Sequence, residues 1–243
     1  MGAMDVRALI FDVFGTVVDW RGGVIRDGSA LAAARTPGLA ASSVDWPAFA
    51  DAWRGRYLPS LNRVRTGELP WSNLDQLHRA SLDELLAEFG ADALGEADRA
   101  HLVGAWHRLD PWPDSVPGLT RLKSRYTIAP LSNGHVALLV NMAKRAGLPW
   151  DLVLSAELVH AYKPDAATYL SGPGLLGLAP GEVMMVAAHL DDLAAARSHG
   201  LRTAYVRRPL EWGPGGTAPE PRPGDELDHV VDSLTDLADR LGA

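Results

Sequence analysis

The sequence predicts an α/β protein, a doubly wound and mostly parallel Rossmann-like sheet with an inserted helical cap. Three observations lead there. Short apolar runs alternate with helix-length patterns at the start of the chain and again over its second half. The stretch between, from about residue 20 to 108, has amphipathic helix patterns and no strand-like run. The residues able to do chemistry fall directly after the apolar runs, at the carboxyl ends where a parallel sheet receives its ligands.

Taken in order, Arg7-Ala-Leu-Ile-Phe-Asp12 is an apolar run that closes on a carboxylate, and Gly15 then breaks it, as expected of a buried strand leading into a loop. Runs of the same kind recur at Tyr126–Leu131, Leu152–Ser155, Val183–Ala188, Arg202–Val206 and His229–Val231. Helix patterns lie between them at about 135–147, 165–178, 191–199 and 232–242. Gly172-Pro173-Gly174 falls inside the second of these and predicts a break in the helix after Tyr169. In the insertion, Phe49, Trp53, Tyr57 and Leu61 recur every four residues, with Pro47 in the first turn. Leu74, Leu77, Leu82, Leu85, Leu86 and Phe89 form a second stripe, stopped by Gly90. Such periodic apolar faces predict packing rather than a ligand box. Pro209 to Asp225 is too dense in Pro and Gly for helix or strand and predicts a loop. The expected division is residues 1–19 and 109–243 as the α/β core and 20–108 as the helical cap.

Composition bounds what such a fold does. Of 243 residues, 47% are apolar and 22% charged, enough to bury a sizeable core. Zero cysteine excludes disulfides, Cys-ligated zinc, iron–sulfur clusters and a cysteine nucleophile, and fits a reducing cytoplasm. A net charge of −7 without a dense Lys/Arg cluster argues against a nucleic-acid partner. The absence of an 18-residue apolar stretch argues against a membrane, and no leader pattern precedes the first strand, so the cytoplasm is expected. Met1 to Met4 are compatible with an expression scar as well as with native sequence.

Four short motifs follow four predicted strands: Asp12-Val13-Phe14-Gly15-Thr16, Leu131-Ser132-Asn133-Gly134, Tyr162-Lys163-Pro164-Asp165 with Tyr169 beyond it, and Ala187-Ala188-His189-Leu190-Asp191-Asp192. A carboxylate held at the end of a buried strand beside a Gly-Thr turn is placed to attack an electrophilic carbon or phosphorus and form an ester, which makes Asp12 the expected nucleophile. Ser132 and Thr16 are expected to donate to it. Lys163 supplies positive charge that keeps it ionised. On the residues alone, Asp12 also fits a carboxylate capping its loop, and Lys163 a lysine before a Pro-Asp turn.

In order and spacing these motifs resemble the haloacid dehalogenase superfamily. With Phe14-Gly15-Thr16 and the helical insertion, the chain resembles its L-2-haloacid dehalogenase branch over essentially the whole length. The resemblance implies Asp12, Thr16, Ser132, Lys163 and Asp192 as catalytic residues, Asp192 orienting the water that cleaves an aspartyl ester. It implies Phe14, Arg54, Asn133, Tyr169 and His189 as substrate- or halide-binding residues. Arg56 competes with Arg54 for the halide-binding role, and His189, which stands where better-known members have Asn, also fits a structural histidine. A protonated His189 would donate more strongly than a neutral one, which predicts pH dependence near neutrality. Asp191 stands where several relatives have Trp. Phe14, Leu58 and Trp20 are candidates for an apolar wall, and Val18-Asp19-Trp20-Arg21 resembles a subgroup active on haloacetates, including fluoroacetate.

The resemblance also separates two chemistries. Phosphatases of this superfamily carry a second Asp where this chain has Phe14, and an acidic Mg²⁺ ligand where it has Ala188. A departing halide needs donors rather than a proton, so the expected reaction is hydrolysis of small L-2-haloalkanoic acids to 2-hydroxy acids with no cofactor and no metal. A Mg²⁺-dependent phosphatase and a non-catalytic binding protein are the alternatives. A homodimer is expected by resemblance. An acidic chain binding an anionic substrate also needs local positive charge, from Lys163, Arg54 and helix N-termini.

Overall fold

The computed structural model describes residues 5–34 and 44–243. Met1 to Met4, with the scar reading attached to them, lie outside the described residues. The chain divides into two units, one running to Asp19 and resuming at Pro111–Ala243, the other Trp20–Asp110.

The first unit is built on six strands: β1 (Ala8–Phe11), β4 (Thr127–Ser132), β5 (Leu154–Ser155), β6 (Val183–Ala187), β7 (Arg202–Val206) and β8 (His229–Val231). Two short strands, β2 (Val18–Asp19) and β3 (Asp110–Pro111), lie where the chain leaves and re-enters this unit. The sheet order is β5-β4-β1-β6-β7-β8, every pairing parallel. Such strands are covered on both faces, which is why they read as continuous apolar runs; β1 and β6 are buried at every position. Ile10 sits level with Ala129 on one side and Met185 on the other, in a core that includes Leu131, Leu154, Tyr169 and Leu193. From β1 the chain builds outward to β4 and β5, then returns across β1 to β6. The carboxyl end of β1 is therefore the switch point of the sheet, where a crevice opens between diverging connections.

The helices of this unit are α5 (Ser115–Lys123), α6 (Val136–Ala146), α7 (Ala166–Leu176), α8 (Leu190–Ser198) and α9 (Leu234–Arg240). The expected break at Gly172-Pro173-Gly174 does not occur, since α7 runs through it with Pro173 inside. Gly172 has a packing reason, because a Cβ there would come 3.2 Å from Leu154. The helix ends at Gly177, whose φ of 65° suits a left-handed cap. The 209–225 segment forms neither helix nor strand.

The second unit contains α1 (Trp20–Ala34), α2 (Trp46–Arg65), α3 (Leu74–Glu88) and α4 (Glu96–Val103). Asp45 caps α2 by accepting from the Ala48 amide, and Asn73 with Gln76 forms a capping box on α3. The aromatic stripe is core: Trp53 meets Trp106 edge-on at 5.5 Å and Phe49 at 5.8 Å. Trp20 is fully buried and stacks on Trp106, so it packs this interior rather than lining a substrate wall; Leu58 is 63% exposed.

Candidate active site

The first unit gathers four motif residues around one carboxylate. The β1 ladder continues one step past the strand, with the Asp12 amide bonding to the Val186 carbonyl, which fixes Asp12 over the middle of the sheet. Gly15 then turns the chain with φ of 82° and brings Thr16 back, so that its hydroxyl donates to Asp12 Oδ2 at 2.8 Å. The same hydroxyl oxygen accepts from the Ala188 amide at 2.9 Å, which leaves its hydrogen for Asp12.

Lys163 arrives from the loop before α7. Its ammonium lies 3.3 Å from Asp12 Oδ1 and 2.7 Å from Asp192 Oδ2, bridging the first and fourth motifs with a side chain only 8% exposed. Asn133 holds that loop by accepting the Lys163 backbone N–H at 2.8 Å. Tyr169, read from sequence as a binding residue, is fully buried, and its phenol donates to Asp192 Oδ1 at 2.5 Å. Its position is that of an orienting partner. Ser132 is also fully buried, but its hydroxyl accepts from the Gly134 amide at 3.0 Å and makes no bond to Asp12. The expected Ser132 donor is replaced by His189, while Ser132 shapes the turn after β4. Phe14 is buried next to the nucleophile loop, and Asp191 is exposed on the first turn of α8.

His189 lies with both ring nitrogens against carboxylates: Nδ1 is 3.1 Å from Asp12 Oδ2 and Nε2 is 3.0 Å from Glu211 Oε1. Burial opposes the imidazolium most strongly, yet hydrogen bonds and charge from Asp12 and Glu211 together outweigh it and raise the ring's pKa to about 10. The titration near neutrality expected from sequence is therefore moved to alkaline pH. Asp12 shows the complementary balance. Burial pushes its pKa up, but the Lys163 charge, the hydrogen bond and charge of His189, and the Thr16 hydroxyl jointly hold it far below the usual carboxylate range. Asp12 therefore stays ionised. Glu211 and its anchor escaped the motif reading altogether. Arg208, three residues earlier in the chain, donates to the Thr16 carbonyl at 2.8 Å and forks onto Asp114 at 2.8 and 2.9 Å.

Arg54 belongs to the second unit. Its guanidinium lies 4.4 Å from the Tyr57 ring centre and 5.5 Å from that of Trp20, and its buried Nη1 has no hydrogen-bond partner among the described residues. Arg56 points outward and pairs with Glu84 and Glu88.

Comparison with known proteins agrees with this geometry. Residues 6–200 match the family model of the haloacid dehalogenase-like hydrolases. The chain is 31% identical over 236 residues to (S)-2-haloacid dehalogenase 4A of Burkholderia cepacia, covering 96% of this chain and 93% of that one. It is 46% identical to a defluorinating L-2-haloacid dehalogenase of known crystal structure, with a TM-score of 0.91 and coverage of 98% and 96%. A third similarity, 26% identity at a TM-score of 0.78 over 98% of this chain and 99% of that one, is to the L-2-haloacid dehalogenase of Xanthobacter autotrophicus with chloropropionic acid covalently bound.

Proposed function

The chain belongs to the haloacid dehalogenase-like hydrolases, and from that premise we propose that it hydrolyses the carbon–halogen bond of small L-2-haloalkanoic acids, yielding 2-hydroxy acids through an ester on Asp12. The relatives named above act on carbon–halogen bonds, and one holds chloropropionic acid covalently. The observation that carries the reading is the asymmetry of Asp12. Oδ2 is held by Thr16 and His189, while Oδ1 has one longer contact, to Lys163. Oδ1 is the freer oxygen and the one assigned to attack C2, displacing halide with inversion.

Arg54, whose buried Nη1 has no hydrogen-bond partner among the described residues, is assigned to the substrate carboxylate or departing halide. Asn133 is assigned a substrate-binding role through its side-chain amide. Phe14 contributes hydrocarbon next to the reacting carbon. Asp192, oriented by Tyr169 and Lys163, receives a proton from the water that attacks the ester carbonyl. Holding the reactants in line contributes about 7–11 kcal/mol toward lowering the barrier. Haloacetates, fluoroacetate among them, are included in the substrate range on the strength of the defluorinating relative. No helix among the described residues is long and apolar enough to cross a membrane. We assign the reaction to the cytoplasm on the cysteine-free composition.

A single turnover in ¹⁸O-water with enzyme in excess tests the ester route. Water attacks the Asp12 carbonyl, so label is expected in Asp12 and not in the product; label directly in the 2-hydroxy acid overturns the reading.

A further inference from the structure

Glu211 lies outside all four motifs, in the Pro- and Gly-rich segment, yet its side chain is 6% exposed and reaches His189. Two features seat it there. A Cβ on Gly15 would come within 2.2 Å of Glu211 Oε1, so the nucleophile loop leaves space for this carboxylate by having glycine at that position. The Glu211 amide donates to the Arg208 carbonyl at 3.1 Å, and Arg208 is itself fastened to Thr16 and Asp114. The loop carrying Glu211 is thus tied to the loop carrying Asp12.

A buried carboxylate against Nε2 fixes the ring's orientation and keeps a hydrogen on that nitrogen, and with a second carboxylate on Nδ1 the ring is favoured in its doubly protonated form, which places a hydrogen on Nδ1 as well. Here Nδ1 faces the Asp12 oxygen that the proposed function leaves unreacted. We propose that Glu211 is a positioning residue for cleavage of the aspartyl ester, holding His189 so that its Nδ1–H and the Thr16 hydroxyl form a ready-made pair of donors to Asp12 Oδ2. This rests on the ester reading above.

In the first step Oδ1 bonds to C2, the carbon–halogen bond breaks with its electron pair on the halide, and Oδ2 becomes the ester carbonyl oxygen. Water then bonds through its oxygen to Cγ and gives a proton to Asp192, while the carbonyl π pair moves onto Oδ2. That negative charge develops where the two donors already point, so little reorganisation is needed. The pair returns, the Cγ–Oδ1 bond breaks, and Oδ1 leaves with the bonding electrons and the proton from Asp192 as the product hydroxyl. The new carboxyl group on Asp12 releases its proton to solvent.

Glu211→Gln keeps the size of the side chain and removes its charge. In rapid-quench measurements the first equivalent of halide is expected to appear at a rate within about three-fold of the parent. Steady-state turnover is expected to fall about 10- to 100-fold, less than the roughly 10²–10³ for removing an oxyanion donor outright. Intact-protein mass spectrometry should show the ester accumulating on the variant. Both steps slowed alike, or neither slowed, overturns the role of Glu211. A parent enzyme that never forms the adduct overturns the ester reading itself. If the variant does not fold, ¹⁵N-histidine spectra of the unaltered protein decide: of its eight histidines, the one missing from a His189→Gln spectrum should be an imidazolium at pH 8, and a neutral ring there overturns the proposal.

Discussion

The two units differ in how they handle charge. In the sheet unit, Asp12, Lys163 and Asp192 pair with one another behind side chains only 8–13% exposed, and Arg208 is buried against Asp114. In the helical unit the interior is mainly aromatic, ion pairs such as Arg63 with Glu68 and Arg56 with Glu84 stand at the surface, and the buried Asp27 is matched by Arg26 and Arg108 at the edge of the interior. Burying charge is a poor way to stabilise a fold, because desolvation offsets most of the attraction, so a cluster of this kind persists where chemistry needs it. Around Asp12 there are three carboxylates and, with His189 protonated, two cations, which leaves a deficit of positive charge before an anionic substrate arrives. Arg54 stands apart in the helical unit, a buried guanidinium nitrogen in an aromatic setting with no acid matched to it among the described residues.

The comparison is broken most severely at Asp12. Asp12→Asn should lower halide release by about 10⁴-fold or more, the usual scale for losing a nucleophile, while far-UV circular dichroism stays that of the folded parent and the urea midpoint falls, because the ionised carboxylate contributes to stability. A variant that keeps a tenth of the parent rate would show that the buried cluster is structural.

Trp53→Ala tests the other unit. Removing a side chain 1% exposed that donates to Ser81 Oγ at 3.1 Å should cost about 3–5 kcal/mol in urea unfolding. A cost below about 1 kcal/mol would mean that the stripe is not the interior of this unit. Next in size is Arg54→Ala, expected to raise KM for a haloacid about ten-fold or more while leaving the first-turnover rate less affected, since a guanidinium on the substrate carboxylate contributes mainly to binding. An unchanged KM would return Arg54 to the aromatic packing of its own unit.

Titration gives a smaller effect with a definite sign. The pKa of Asp12 is depressed on folding, so its contribution to stability is present above its ordinary value of 3.8 and lost only in stronger acid. That of His189 is raised, so its contribution is complete below 6.5 and lost as pH rises through about 10. The unfolding temperature of the parent should therefore fall from about pH 6.5 to about 10, and in Glu211→Gln the fall should be smaller and level off at lower pH. An alkaline limb identical in the two proteins would show that Glu211 does not hold the imidazolium.

What was legible in the sequence follows from what each feature rests on. Strands buried on both faces tend to be apolar throughout, so β1 and β6 stand out, and the motifs after them, with Asp12 and Thr16 in the first, mark the sheet's carboxyl end; Lys163 was read from its own motif and Asp192 from the family resemblance. The helix α5 was missed because its buried face consists of Ser115, Gly118, Leu119 and Leu122, too few apolar residues to show a period, and Gly118 is there to let Leu234 approach. The run through Gly172 and Pro173 was misread because close packing on Leu154 overrides local helix preference. Glu211 was invisible because its role depends on the fold of an irregular loop, which has no period to read. The one available signal was an acidic residue three places after Arg208 in a segment otherwise full of turn formers.

The smallest expected effect concerns Arg56, the competitor to Arg54 in the sequence reading. Both lie on α2, but two residues along a helix turn a side chain about 200°, so the two cannot share a face. The structure shows that difference as exposure and partners. Arg56 is held at the surface by Glu84 and Glu88 on α3, whereas Arg54 turns inward onto Tyr57 and Trp20. A solvent-exposed pair contributes little because water screens it and two long side chains must be ordered to make it. Arg56→Ala should therefore leave KM and turnover within about two-fold and cost about 0.2–1 kcal/mol in urea unfolding. A rise in KM matching that of Arg54→Ala would transfer the anion-binding role to Arg56 and remove the distinction between an inner and an outer charge on which the contrast between the two units depends.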